Sequence, residues 1–127
     1  MCGQIRGRES AENYLKTILL LREELGEVRS VDVAHALGVS KPSVCNAVKK
    51  LRDEGLVVMD EKHSLVLTKT GLETAVDVFE RHATLEKFLT TVLKLDKKTA
   101  HSDSCRLEHL ASAEMLEKMK ELCNSRQ

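Results

Sequence analysis

Tryptophan is absent from these 127 residues, and one Tyr and two Phe bring the aromatic share to only 2%. That scarcity, beside a charged fraction of 31%, argues against a β-sandwich and for a soluble, helix-rich chain whose core is Leu, Val and Ala. Apolar runs of about 18 residues are missing too, and the opening MCGQIRGRES has no apolar centre to act as a secretory signal. A membrane partner is thereby excluded, and the expected location is cytoplasmic. Net charge is zero, with 11 Lys and Arg against 10 Asp and Glu up to Thr70, and 9 against 10 beyond it. Any contact with nucleic acid must therefore come from a local patch and not from bulk charge. Cys2, Cys45, Cys105 and Cys123 contain no CxxC pair, which removes a disulfide framework and leaves thiols available to metal. Repeats and Gly/Ser linkers are also lacking, and the length is too short for separate substrate and cofactor domains; no small organic substrate is expected.

What is present is a succession of helical periods with one interruption. Residues 1–9 show no periodicity and read as a flexible arm. Ser10 is placed to cap a helix carrying Tyr14, Leu15, Ile18, Leu19, Leu21 and Leu25, which Gly26 ends. A short helix follows from Arg29 and Ser30 through Val31, Val33, Ala34 and Leu37 to Gly38. Ser40 then caps a third helix, with Pro42 in its first turn and Val44, Ala47, Val48 and Leu51 inward, until Gly55. SVDVAHALGVSKPSVCNAVKKL is thus a helix-turn-helix, and the runs Leu56 to Met59 and Leu65 to Thr68 predict a β-hairpin, the wing of a winged-helix domain. Thr70 and Glu73 have capping-box spacing for a long helix, Asp96 precedes another and Ser112 a last one. The fold class expected is mainly α: a winged helix-turn-helix over 10–71, then a helical metal-binding and dimerisation domain over 72–127.

The most concentrated chemistry lies in HSDSCRLEH. His101, Cys105, Glu108 and His109 fall at offsets that place them within a stripe about 100° wide on one helix face. His82 and Glu86, four apart in the preceding helix, form a second pair of the same kind. Imidazole, thiolate and carboxylate together point to a transition-metal site between helices.

AENYLKTILLL, VAHALGVSKPSVCNAVKKLRDEGLV, LVLTKTG, RHATLEKFL and HSDSCRLEH, in that order, resemble the diphtheria toxin repressor family of iron- and manganese-dependent transcriptional regulators. The resemblance implies two metal sites: His82, Glu86 and His101 match the ancillary ligands, while Cys105, Glu108 and His109 match the primary ones. A residue of the first helix completes the primary site, Met in iron-type members and Asp in manganese-type members, and here it is Asn13. An amide oxygen is a weaker donor than a carboxylate. Lys16 stands where manganese-type members carry a second carboxylate, and Cys105 suits Fe(II), Co(II), Ni(II) or Zn(II) better than Mn(II). Fe(II) is therefore favoured, with Mn(II) as the alternative. Many iron-type members add an SH3-like third domain, and none follows in this sequence, so the ancillary site is expected to be completed by water or to remain weak.

For DNA, the first turn of the third helix presents Ser40, Lys41, Pro42 and Ser43, with Asn46 one turn on; such turns face base edges in the major groove. The resemblance places contacts at Ser30, Ser40, Pro42, Ser43 and Asn46, while Lys41, Lys49 and Lys62 supply phosphate contacts. These readings converge on a homodimeric, metal-dependent repressor of double-stranded operator DNA controlling metal homeostasis. Two alternatives are a winged-helix interaction module with a structural metal and, less favoured, a small metalloenzyme, which lacks a separate general base and a substrate loop.

Overall fold

The computed structural model describes residues 8–125. Six helices and one two-stranded antiparallel hairpin run in the order α1 (Arg8–Leu25), α2 (Ser30–Leu37), α3 (Lys41–Asp53), β1 (Val57–Met59), β2 (Leu65–Leu67), α4 (Lys69–Thr91), α5 (Lys97–Leu107) and α6 (Ala113–Ser125). The chain divides into two compact units, one running to Val76 and the other from Asp77.

The first unit has the expected winged-helix order. Tyr14, Leu15 and Ile18 of α1, Val33 of α2, Val44, Val48 and Leu51 of α3, and Val57 and Leu65 of the hairpin form one buried cluster with Val28 and Ala75. Gly38, at φ +67°, takes the left-handed conformation that closes α2, a conformation that costs a residue with a Cβ roughly 1–2 kcal/mol. Two residues later Ser40 accepts the Ser43 amide through its Oγ at 3.2 Å and so starts α3. In the wing Val57 pairs with Leu67 and Met59 with Leu65. Asp60 holds the intervening turn, its Oδ1 accepting the amides of Lys62 and Ser64 at 2.9 Å each. The wing is anchored at its base, where the Leu65 amide donates to the Val28 carbonyl at 2.6 Å.

Two boundaries differ from those read in the sequence. α1 begins at Arg8, so Ser10 lies within the helix; the rest of the expected arm, residues 1–7, falls outside the described residues. α4 begins at Lys69, and its cap is Thr68: the Gly71 amide donates to Thr68 Oγ1 at 3.0 Å, while that hydroxyl donates to the Gly55 carbonyl at 2.7 Å. Thr70 therefore lies inside α4. Thr68 wins because its backbone is already held by the bond from its amide to the Leu56 carbonyl at 3.0 Å.

The second unit holds most of α4 with α5 and α6, and its buried residues include Val78, Leu85, Leu89, Ala100, Cys105, Leu116 and Cys123. Asp96 and Ser112 cap α5 and α6 as the sequence predicts, accepting the amides of Thr99 at 2.7 Å and Met115 at 3.1 Å. Hydrogen bonds from Thr99 hold the Asp96 carboxyl below the usual range, so that cap persists until pH falls through this lowered value.

Gly71 packs its α-carbon face directly on the Leu56 backbone, and a Cβ there would collide with the Leu56 carbonyl oxygen. Backbone atoms cannot rotate away as a side chain does. Gly71→Ala is therefore expected to destabilise the first unit by about 1–3 kcal/mol, seen as a lower urea midpoint with an unchanged slope.

Candidate metal centre

The six ligand-type side chains of α4 and of the α5 segment form one continuous chain of contacts. Cys105 Sγ lies 3.7 Å from His101 Nε2. His101 Nδ1 lies 3.8 Å from Glu86 Oε1, and Glu86 Oε2 lies 3.0 Å from His82 Nε2. On its other side His82 meets Glu108, Nδ1 to Oε2 at 2.7 Å, and Glu108 Oε1 lies 3.4 Å from His109 Nε2. Thiol, imidazole, carboxylate, imidazole, carboxylate and imidazole thus alternate without a break.

Local structure explains the placement. His82 and Glu86 are one turn apart on α4, and His101 and Cys105 one turn apart on α5. Glu108 and His109 follow directly on the last turn of α5, Glu108 keeping helical backbone and donating its amide to the Ser104 carbonyl at 2.9 Å. Glu108 is its C-cap, and the amides of Leu110 and Ala111 both donate to the Leu107 carbonyl, tightening the chain into a turn. The helix face expected from the sequence is kept as far as Glu108, and the turn follows it.

Burial rises along the chain from the thiol-side imidazole to the carboxylate. The His101 side chain is 62% exposed, Glu86 36%, His82 12%, and Glu108 not at all. A carboxylate withdrawn from water at the carbonyl end of a helix is opposed both by desolvation and by the helix dipole. Positive charge beside it is what offsets both. His82 lies between two carboxylate oxygens, which are acceptors when ionised, while a neutral imidazole has only one N–H. Both contacts are hydrogen bonds only with an additional proton, and a divalent cation supplies the same positive charge. The donor set, three imidazoles, two carboxylates and a thiol, fits such an ion.

The two sets implied by the resemblance are joined in the structure: His82 of one meets Glu108 of the other, and His101 meets Cys105. Asn13 belongs to the first unit, where it is fully buried with neither amide atom hydrogen-bonded among the described residues. It stands in a row of buried polar residues on α1, with Glu12, Lys16 and Thr17. Sequence reading found Asn13 and Lys16 but passed over Glu12 and Thr17, although their spacing puts all four on one helix face. Ser104, also buried and without a hydrogen-bond partner for its Oγ, carried no signal beyond its place beside Cys105.

The residues assigned to DNA belong to the first unit. Ser40, Lys41, Pro42, Ser43, Asn46 and Lys49 are exposed along one side of α3, opposite buried Val44, Val48 and Leu51, and Ser30 is half-buried at the start of α2. Ser40 Oγ is engaged with Ser43, 2.8 Å from its Oγ. Lys62 is exposed in the wing turn, 4.0 Å from Glu27.

A winged-helix unit followed by helices bearing a buried His, Glu and Cys cluster defines a class of metal-binding DNA-associated proteins. Residues 8–65 match the N-terminal DNA binding domain of the iron dependent repressors, and residues 68–127 match their metal binding and dimerisation domain. An uncharacterized HTH-type transcriptional regulator of Methanocaldococcus jannaschii is 35% identical over 88% of this chain and 90% of its own length. The diphtheria toxin repressor of Corynebacterium diphtheriae is 36% identical over 84% of this chain and 47% of its own length. The structure of the manganese regulator SloR superposes with a TM-score of 0.79 at 32% identity, over 90% of this chain and 53% of that one. The chain belongs to the iron dependent repressor family, as its motifs imply, and spans about half the length of the last two relatives. Among the described residues no helix is long and apolar enough to cross a membrane.

Glu108→Ala removes the carboxylate that His82 and His109 share. In metal-free urea unfolding it is expected to cost about 1–3 kcal/mol, the range for leaving a buried polar group without its partner. A loss near zero would show that Glu108 is not the group stabilising the rings.

Proposed function

We propose that this chain is a metal-dependent transcriptional repressor that binds operator DNA as a homodimer when loaded with a divalent transition metal, Fe(II) by preference and Mn(II) as the alternative. It acts in the cytoplasm on metal homeostasis genes. The observation that carries this reading is the fully buried Glu108 carboxylate joined to His82 and His109 in a chain that also holds Glu86, His101 and Cys105. The sequence resemblance adds Asn13 as a weak donor.

When bound, a divalent cation supplies positive charge that offsets the two carboxylates and a demand for a defined ligand geometry. Glu86 and Glu108 draw their imidazole partners into place, and Cys105 contributes a donor that favours iron-like ions over Mn(II). In metal-free protein the same carboxylates confront one another across His82. The two forms thus differ in how the α5 segment is held, and linkage requires metal and DNA to favour each other's binding by about 1–3 kcal/mol if the two sites are coupled. On α3, Pro42, Ser43 and Asn46 meet base edges, where small side chains read thymine methyls and groove shape. Lys41, Lys49 and Lys62 neutralise phosphates.

The test is a mobility-shift assay on operator DNA under anaerobic, reducing conditions, with Fe(II), Mn(II) or chelator. Cys105→Ala and His109→Ala should each abolish metal-dependent retention while circular dichroism stays unchanged; retention equal to that of the parent protein would overturn the reading. A separate measurement addresses the DNA face. Lys49→Ala should weaken binding evenly across sequences and lower the slope of log K against log salt by about 0.9, whereas Asn46→Ala should relax discrimination at particular base pairs.

A further inference from the structure

Resting on the metal-binding reading above, we infer that the chain has a third ligand arrangement that cuts across the two sets implied by the family resemblance: His82, His101 and Cys105 together hold one zinc-like ion, with Glu108 positioning His82 instead of ligating. The candidate donor atoms of these three residues all lie within 4.8 Å of one another. Ligand atoms around a tetrahedral zinc, with bonds of about 2.0–2.1 Å to nitrogen and 2.3 Å to sulfur, stand roughly 3.3–3.8 Å apart. The 3.7 Å between Cys105 Sγ and His101 Nε2 is already such a separation. The two rings meet edge to face with centroids 5.0 Å apart, so neither ring blocks the space beside the thiol by stacking flat on its neighbour.

His82 carries the rest of the argument. Its Nδ1 is engaged by fully buried Glu108 at 2.7 Å, the relation in which a carboxylate takes the N–H of a metal-binding histidine and fixes its tautomer and orientation. Nε2 is then the donor, and the group facing it at 3.0 Å is Glu86, 36% exposed and able to turn aside or to fill a fourth position. Two imidazoles and a thiolate make a softer set than Cys105, Glu108 and His109, which contains a carboxylate in place of one imidazole. Zinc-like ions are thus directed to the mixed site. Because Cys105 is common to both arrangements, an ion seated there withdraws the thiolate from the set proposed to activate DNA binding.

Co(II) is the probe, since a thiolate ligand produces a charge-transfer absorption in the near ultraviolet and tetrahedral geometry produces visible bands. Titrated anaerobically into the reduced full chain, the first equivalent should develop both features. Cys105→Ser should remove the thiolate band, and His82→Ala and His101→Ala should each weaken binding of the first Co(II) equivalent by at least about tenfold. His109→Ala should keep the band, even though it loses metal-dependent DNA retention. His101 is mostly exposed, so its variant is expected to fold, which circular dichroism checks. Parent-like Co(II) affinity in His101→Ala, or loss of the band in His109→Ala, overturns the inference and returns the thiolate to the Cys105, Glu108 and His109 set. Failure of the function proposed above would appear elsewhere, as parent protein that binds Co(II) yet shows no metal-dependent DNA retention.

Discussion

A carboxylate with no access to water, set at the carbonyl end of a helix, is the constraint on which the metal centre depends. Glu108 has neither solvent nor a helix N-terminus to stabilise its charge. Its neighbours supply what is missing: His82 at 2.7 Å and His109 at 3.4 Å. The metal dependence proposed above thus rests on where Glu108 is buried as much as on which donors surround it.

The DNA-binding unit solves a different problem with the same economy of parts. α3 buries Val44, Val48 and Leu51 while exposing Ser43, Asn46 and Lys49. Its first turn is held by Ser40 and Ser43, whose hydroxyls are 2.8 Å apart, so the capping interaction and the expected reading surface share atoms. The wing hangs from Val28 and turns about Asp60, leaving Lys62 exposed at its tip.

Much of this was legible in the sequence, because caps and periodicity report local energetics. Gly38, Ser40, Asp96 and Ser112 each do in the structure what their chemistry predicts. Thr70 misled because two threonines compete near that helix start, and the winner is chosen by Leu56 and Gly55, residues distant in sequence from any helical window. All six ligand-type residues of the second unit stood out by type and spacing. Their connectivity did not, since which carboxylate oxygen meets which ring depends on how α4 packs on the α5 segment, and a helix wheel holds one helix only. Nor does residue type alone distinguish two separate sets from one chain in which each carboxylate lies between two rings.

That sharing has a thermodynamic consequence. Glu86 lies between His82 and His101, and Glu108 between His82 and His109, so no ligand in the middle of the chain has an environment independent of its neighbours. The free-energy effects of altering two such positions will not sum, and the discrepancy, measured in a double-mutant cycle, will be largest for pairs that flank a common carboxylate. His101 and His109 are linked in this chain of contacts through Glu86, His82 and Glu108. A change of partner at the exposed end is thereby registered at the buried one.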